Sequence, residues 1–493
     1  MSKTLSLISL ALLVIGCGAA PAQPQASASA LPEAVTVLGE SPVSQRIQLP
    51  AARPLAAATA LTPAGLNATA LPHWAGPVPL QHSMYQPGRG AVGPQGELTV
   101  TAAKDVAARF ELNRYAANGQ PLAQYGYSVP KPGSTAPGGG RPLPYSQAWV
   151  ASAEDAPDQE LYVMNIFGSA SGMYPDPARG PVQAEIRLMN GALQPRTTNA
   201  DGPYQLPLLI SSGTEVRAGE QGIVVSTPRP WNFYGAQRAP QGTRVYELSH
   251  HSWDNVEMDQ LNVLLPPTQY ADNYTSSQMD TAPDGSVYVA TFTSYQKDCV
   301  RTCPSVAGLT KLRGGQVQWQ VFWDADEPVA AEDIAAHEKG AGLLVTRSRP
   351  GVNEWGGEVP VESNTLLTFG ADGKPLQQLD LPEETDSAGF PLVYRQLQLK
   401  ADGRFVLGAA QTLAAGNLSQ GMTRKQTLAD TYSGLEVRHL LSRGEYLYVQ
   451  GSANLGDLAK VQPSVPVPEL PQPVGYESEQ FVLPYDFDLN PRW

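Results

Sequence analysis

The chain has 493 residues and a formal net charge of −13, with 33 Lys and Arg against 46 Asp and Glu. Its basic residues form no cluster able to follow a phosphate backbone, which argues against a nucleic-acid partner, and the acidic excess repels the body of the chain from an anionic membrane surface. Glycine and proline, at 46 and 45 residues, are too many for long helices, and charged residues are only 16%, so many turns and short strands are expected.

The first element in chain order is an apolar run from Leu5 to Ile15, preceded by Lys3 and followed by Gly16 and Cys17. It is too short to span a bilayer, and small residues stand on both sides of the cysteine. With Val14-Ile15-Gly16 ahead of Cys17, the stretch resembles the lipobox of bacterial lipoproteins. The resemblance implies cleavage between Gly16 and Cys17, a diacylglycerol on the Cys17 thiol, and a place in the cell envelope facing the periplasm or the cell exterior. Each buried methylene contributes about 0.8 kcal/mol and one acyl chain anchors only marginally, so stable attachment needs two or three chains. The alternative is an ordinary secretory signal in which the cysteine is incidental. Residues 18–71 are rich in Ala, Pro, Gln, Ser and Thr and read as a flexible tether with a mean reach of about 40 Å. A short extended piece at Val35–Leu38 is able to dock on the body.

From residue 72 to 493 one theme repeats. An apolar strand follows a turn at Gly96, Glu160, Gly222, Gly285, Gly342, Gly403 and Gly444, giving seven copies such as Gly285-Ser-Val-Tyr-Val-Ala and Gly403-Arg-Phe-Val-Leu. A companion strand then leads into a two-residue turn at Asn118-Gly119, Asn190-Gly191, Gly314-Gly315 or Asp372-Gly373, dipeptides that supply the positive φ of tight hairpins. The pattern resembles the β-propellers of bacterial envelope proteins, and the resemblance implies an all-β ring of about seven blades. A pair of β-sandwich domains is the alternative. A ring needs closing, and Gln480–Tyr485 or Val78–Leu80 could complete the blade begun by the opposite terminus.

Cys299 and Cys303, spaced C-x3-C, read as a small disulfide loop in an oxidising compartment. His250, His251 and Asp254 combine imidazole and carboxylate as a metal site would, yet side chains alternate along a strand, so both histidines reach one ion only across a bulge. Solvated strand-end residues explain the same letters. Asp486-Phe-Asp488-Leu-Asn490 has the alternating oxygens of a calcium loop, but Pro491 stands where glycine is needed, so an edge strand with one polar face is expected. Trp319 and Trp323, followed by Asp324, Asp326, Glu327, Glu332 and Asp333, offer rings to stack on sugars and carboxylates to accept their hydroxyls. The other reading puts the aromatics between blades.

No nucleophile elbow, phosphate loop or zincin helix occurs, no catalytic residue is singled out and no cofactor is implied. The expected function is therefore that of a lipid-anchored module of the cell envelope whose propeller loops bind or scaffold an envelope protein or polysaccharide. The alternative is an extracytoplasmic propeller enzyme, carbohydrate-directed or metal-dependent. A structural spacer without a specific ligand is a third reading.

Overall fold

The seven apolar runs become the second strands of seven sheets in the computed structural model of the chain. The structure describes residues 34–36, 44–55, 71–72, 78–83, 89–105, 109–128, 144–152, 161–169, 182–195, 204–208, 215–218, 222–228, 242–252, 255–264, 273–295, 305–314, 316–325, 329–352, 358–385, 391–428, 435–454 and 478–492. The chain from Ala34 to Trp493 is one compact unit. Cys17, Asp254, Cys299, Cys303 and Asp326 lie outside the described residues.

Numbered in chain order, sheet 1 runs Ala91–Val92, Leu98–Asp105, Arg109–Tyr115 and Pro121–Ser128. Sheet 2 runs Pro144–Ser152, Leu161–Ser169, Val182–Met189 and Tyr204–Leu208. Sheet 3 follows with Glu215–Ala218, Gly222–Pro228, Gly242–Ser252 and Asn255–Leu264, and sheet 4 with Asn273–Thr281, Val287–Tyr295, Ser305–Arg313 and Gln316–Ala325. Sheet 5 comprises Val329–His337, Gly340–Val352, Glu358–Gly370 and Pro375–Asp380; sheet 6 comprises Gln396–Leu399, Arg404–Gly408, Thr412–Asn417 and Gly421–Thr427. Sheet 7 takes Glu436–Arg443, Tyr446–Asn454 and Ser478–Tyr485 from the end of the chain and Val78–Ser83 from near its beginning. All of these neighbours are antiparallel. The two segments that the sequence offers for closure thus pair with one another, Gln480 opposite Leu80 and Val482 opposite Val78.

Second strands are apolar on both faces because each lies in the middle of its sheet with another sheet packed on either side. Val224-Val225, Leu343-Leu344-Val345 and Phe405-Val406-Leu407 are all 3% exposed or less. One core cluster joins sheets 4 and 5 through Phe292, Trp323 and Phe369; others join sheets 5 and 6, 6 and 7, and 7 and 1. The first strand of each sheet lies beside the first strand of the next through the whole series, and that of sheet 7 lies beside that of sheet 1.

Hairpin chemistry follows the sequence with one variation. Gly119 and Gly373 adopt φ of 81° and Gly314 of 54°. In the Asn190 turn the left-handed residue is instead Leu193, at φ 57°: the backbone bonds Asn190 N–H to Gln194 O and Leu193 N–H to Asn190 O repeat those of the Ala116–Gln120 turn, so Asn190-Gly191 opens the turn, and Asn190 Oδ1 accepts the N–H groups of Ala192 and Gln194 at 2.9 Å. The same turn recurs at the end of the chain. Asp486 Oδ1 accepts the N–H groups of Asp488 and Asn490 at 2.9 and 2.8 Å, and Leu489 has φ 56°. Asp486–Asn490 is therefore a side-chain-capped turn and not the expected edge strand, since the carboxylate takes up the backbone donors that a strand would direct at a neighbour.

Four hairpins between third and fourth strands, or their equivalent, are gripped by a side chain of the adjoining sheet. Arg114 of sheet 1 donates to Gly191 O at 2.7 Å, Trp319 of sheet 4 to Ala371 O at 2.9 Å, and Arg424 of sheet 6 to Asp488 O at 3.0 Å. Arg492, beyond sheet 7, donates to Ala117 O of sheet 1 at 3.5 Å and so grips the two ends of the series together.

Part of the segment read as tether is strand. Ala34–Thr36, Ser44–Arg46 and Arg53–Pro54 lie parallel to the fourth strands of sheets 3, 4 and 5. Ile47 N–H continues the bonding to Phe322 O at 2.9 Å and Leu55 N–H to Asp380 O at 2.7 Å. Composition hides this because only a few apolar residues are involved: Ile47 and Leu49 pack on the core shared by sheets 4 and 5, and Leu55 is buried. The strap occupies outer edges that would otherwise present free backbone groups.

Candidate functional site

The first strands lie side by side without pairing through their backbones. Their buried N–H and C=O groups must then be satisfied by side chains. Asp280 Oδ2 on sheet 4 accepts Ala336 N–H of sheet 5 at 2.9 Å. Asp333 Oδ2 on sheet 5 accepts Leu397 N–H of sheet 6 at 2.8 Å, and its Oδ1 accepts Ile334 N–H at 2.9 Å. Gln398 Nε2 on sheet 6 donates to Leu440 O of sheet 7 at 3.0 Å, while Ser442 Oγ donates back to Gln398 Oε1. Asp280 and Gln398 occupy equivalent places, each five residues before a turn glycine, Gly285 and Gly403. Asp333 gains its direction from a bulge between Ala331 and Asp333.

Where these strands enter their hairpins they enclose a cavity of about 550 Å³. Six of the sheets contribute to it, all but sheet 2 among the described residues. Six Lys or Arg side chains line it against four Asp or Glu, a basic surplus inside a chain of net charge −13. The more exposed part is a set of ion pairs: Arg404 binds Asp402 at 2.8 Å and Glu445 at 2.9 Å, and Lys400 also meets Glu445.

The deeper part is built on Arg217, which is 7% exposed. Its Nη1 reaches Glu215 Oε2 at 2.6 Å and Val216 O at 2.9 Å, and its Nε reaches Asp280 Oδ1 at 3.2 Å. Nη2 has no hydrogen-bond partner among the described residues. Burial opposes the Arg217 charge, but Glu215, Asp280 and Asp333 outweigh it and hold its pKa above the ordinary value. Arg89, also on the cavity wall, is shifted the other way, first by burial and then by Arg217. Burial pushes Asp333 up to about 7, against the pull of Arg89, the Leu397 N–H and Arg217. The arrangement thus holds two guanidinium groups and a neutral-range carboxyl close together, with one donor unused.

Of the residues singled out from sequence, Asp333 belongs to this buried cluster, while the others described fall elsewhere. Trp323 is 3% exposed and wedged between Phe292 and Phe369, with ring centroids 6.1 and 5.5 Å away, so it fills space between sheets 4 and 5 and offers no sugar platform. Trp319 is half-buried, edge-on to Tyr288 at 5.9 Å, with its indole N–H committed to Ala371 O. Asp324 is exposed and paired with Arg46 of the strap. His250 and His251 end the third strand of sheet 3, where the register shifts between His250 and Ser252, the irregularity the metal reading requires. Among the described residues no group of three or more His, Cys, Asp or Glu could hold a metal ion. The cavity has no sequence motif because six distant segments build it.

No family model matches the chain. No curated protein matches it either. Among solved structures, a protein of unknown function from Bacteroides caccae is similar over 63% of this chain and 88% of its own, at 12% identity and a TM-score of 0.31. The hemagglutinin-neuraminidase ectodomain of parainfluenza virus 5 is similar over 66% and 77%, at 8% identity and a TM-score of 0.31. An α-L-arabinofuranosidase from Fusarium graminearum is similar over 82% and 97%, at 9% identity and a TM-score of 0.36. Likenesses at this level carry no activity across to the chain.

Proposed function

We propose that the chain is a lipid-anchored binding module of the cell envelope, a seven-bladed β-propeller that takes a ligand at its axis. The observation that carries this reading is the cycle of first strands, each beside the next and the last beside the first, around a cavity with a mixed, partly unsatisfied polar lining. Concave sites with a few convergent polar groups are where ligands bind, and repeat scaffolds commonly present them. The anchor is the lipid on Cys17, which holds the module to a membrane and brings an envelope protein or polysaccharide within reach.

The test uses the full chain, purified in detergent, and isolated envelope fractions: membranes, cell-wall polymer and surface polysaccharide. Saturable retention on one fraction, reduced by Arg217→Lys, is expected; retention on none overturns the binding reading. The anchor is tested separately by Cys17→Ala, which is expected to move the protein from the membrane to the soluble fraction. A variant that still fractionates with membranes overturns lipid attachment.

A further inference from the structure

We propose that the axial cavity is a site for an oxyanion group, carboxylate or tetrahedral, bound by the guanidinium groups of Arg217 and Arg89. The inference rests on reading the cavity as the module's ligand site and assigns the chemistry of what enters it. Buried N–H groups without a partner among the described residues also occur on Arg438 and Arg492, but of these three arginines Arg217 alone lines the cavity, where an entering group could supply the missing acceptor. Among the described residues, Glu215, Val216 O and Asp280 bind Nη1 and Nε of Arg217 and none binds its buried Nη2, on a residue that lines the cavity. The planar fork of arginine matches the two oxygens of a carboxylate or of a tetrahedral oxyanion, and such bonds are strong in a partly desolvated site.

Local charge decides when the site is ready. Arg89 and Arg217 face Glu215 of sheet 3, Asp280 of sheet 4 and Asp333 of sheet 5. From sheet 6 the group packed on Asp333 is the uncharged Leu397 N–H. With Asp333 ionised the three carboxylates outnumber the two guanidiniums; with Asp333 protonated the cluster is balanced and an arriving anion meets no excess negative charge. Binding is therefore expected to favour the protonated form of Asp333, whose carboxyl burial pushes up to about 7. Of the remaining cavity charges, Lys339, Lys400, Arg404 and Arg443 stand against Glu338, Asp402 and Glu445, a surplus of one positive charge on the solvent side.

The experiment is titration calorimetry on the full chain with two probes, sulfate for the tetrahedral group and acetate for the carboxylate, at pH 6 and pH 8. Neither probe changes charge between those values. Saturable binding of at least one is expected, tighter at pH 6 by up to about tenfold per pH unit, the limit for one coupled proton. The probe that binds distinguishes a phosphate-like from a carboxylate ligand. Arg217→Lys is expected to weaken binding at least tenfold, and Arg89→Gln, which disturbs fewer internal bonds, to do the same with an unchanged circular dichroism spectrum. Asp333→Asn is expected to bind at both pH values with the pH dependence gone. No saturable heat from either probe at millimolar concentration, or an Arg89→Gln variant that folds and binds like the parent, overturns the proposal. If both probes bind and no envelope fraction is retained, the oxyanion site stands and the envelope-binding reading falls.

Discussion

Asp333 carries the clearest pH signature in the chain. Its carboxyl is raised from 3.8 to about 7 in the folded protein, chiefly by burial. The native state therefore keeps a proton that the unfolded chain gives up near pH 4, so this group's contribution to stability is greatest below pH 4 and is lost as pH rises to about 7. Urea titrations at intervals between pH 5 and 8 should show stability falling by at most about 1.4 kcal/mol per unit up to neutrality, and Asp333→Asn should flatten the slope. A parent curve that is flat, or that rises through this window with no change in the variant, contradicts the assignment. Arg492 matters at the same scale: it is 3% exposed, stacks over Tyr446 and Tyr448 at 5.1 and 5.0 Å, and donates to Tyr485 O at 3.0 Å. Arg492→Ala should cost about 2–3 kcal/mol, read from denaturant midpoints, because buried hydrogen bonds from a charged donor are lost and the accepting carbonyls are left behind. A loss within experimental error would show that the clasp to sheet 1 contributes nothing.

At the scale of elements, the sequence is legible where burial is two-sided. Second strands are visible as apolar runs, and third strands as runs ending in Asn-Gly or Asp-Gly, because packing and turn geometry leave those letters little freedom. Fourth strands are less so: Pro121–Ser128 and Gly421–Thr427 expose residues such as Leu122, Gln124, Lys425 and Thr427, and no continuous apolar run marks them. First strands hide for another reason. Ala91–Val92 is only two residues long, and charge or amide interrupts others: Asp280, Asp333 and Gln398 where the chain satisfies a neighbouring sheet's backbone, and Arg217 where it pairs with Glu215 and Asp280. Those same interruptions are the site, so what obscures the strands also builds the cavity. The sequence signals available were Asp333, among the carboxylates that follow Trp323, and the recurrence of Asp280 and Gln398 at a fixed distance from a turn glycine. The strap is a further lesson, since Ala34–Thr36, Ser44–Arg46 and Arg53–Pro54 lie in a stretch of tether composition yet pair with three sheets. Removing 44–55 should lower the melting temperature and raise light scattering by uncovering the outer strands Gln316–Ala325 and Pro375–Asp380. Unchanged melting and scattering would mean the strap is dispensable.

For the whole molecule, everything depends on closure. Sheets 1 to 6 each draw their core strands from one continuous stretch, whereas sheet 7 borrows its outermost strand from residues 78–83, and the site exists only if the first strands meet around an axis. Closure through a strand from the opposite terminus makes unfolding of either end a global event. The most direct measurement places cysteines at the register pair Leu80 and Gln480 in a chain with Cys299→Ser and Cys303→Ser, with oxidation of the folded protein followed on non-reducing gels. The account predicts a disulfide that forms readily, leaves the circular dichroism spectrum unchanged and raises the denaturation midpoint. A folded protein in which the two thiols stay reduced would contradict the ring, and with it the axial site.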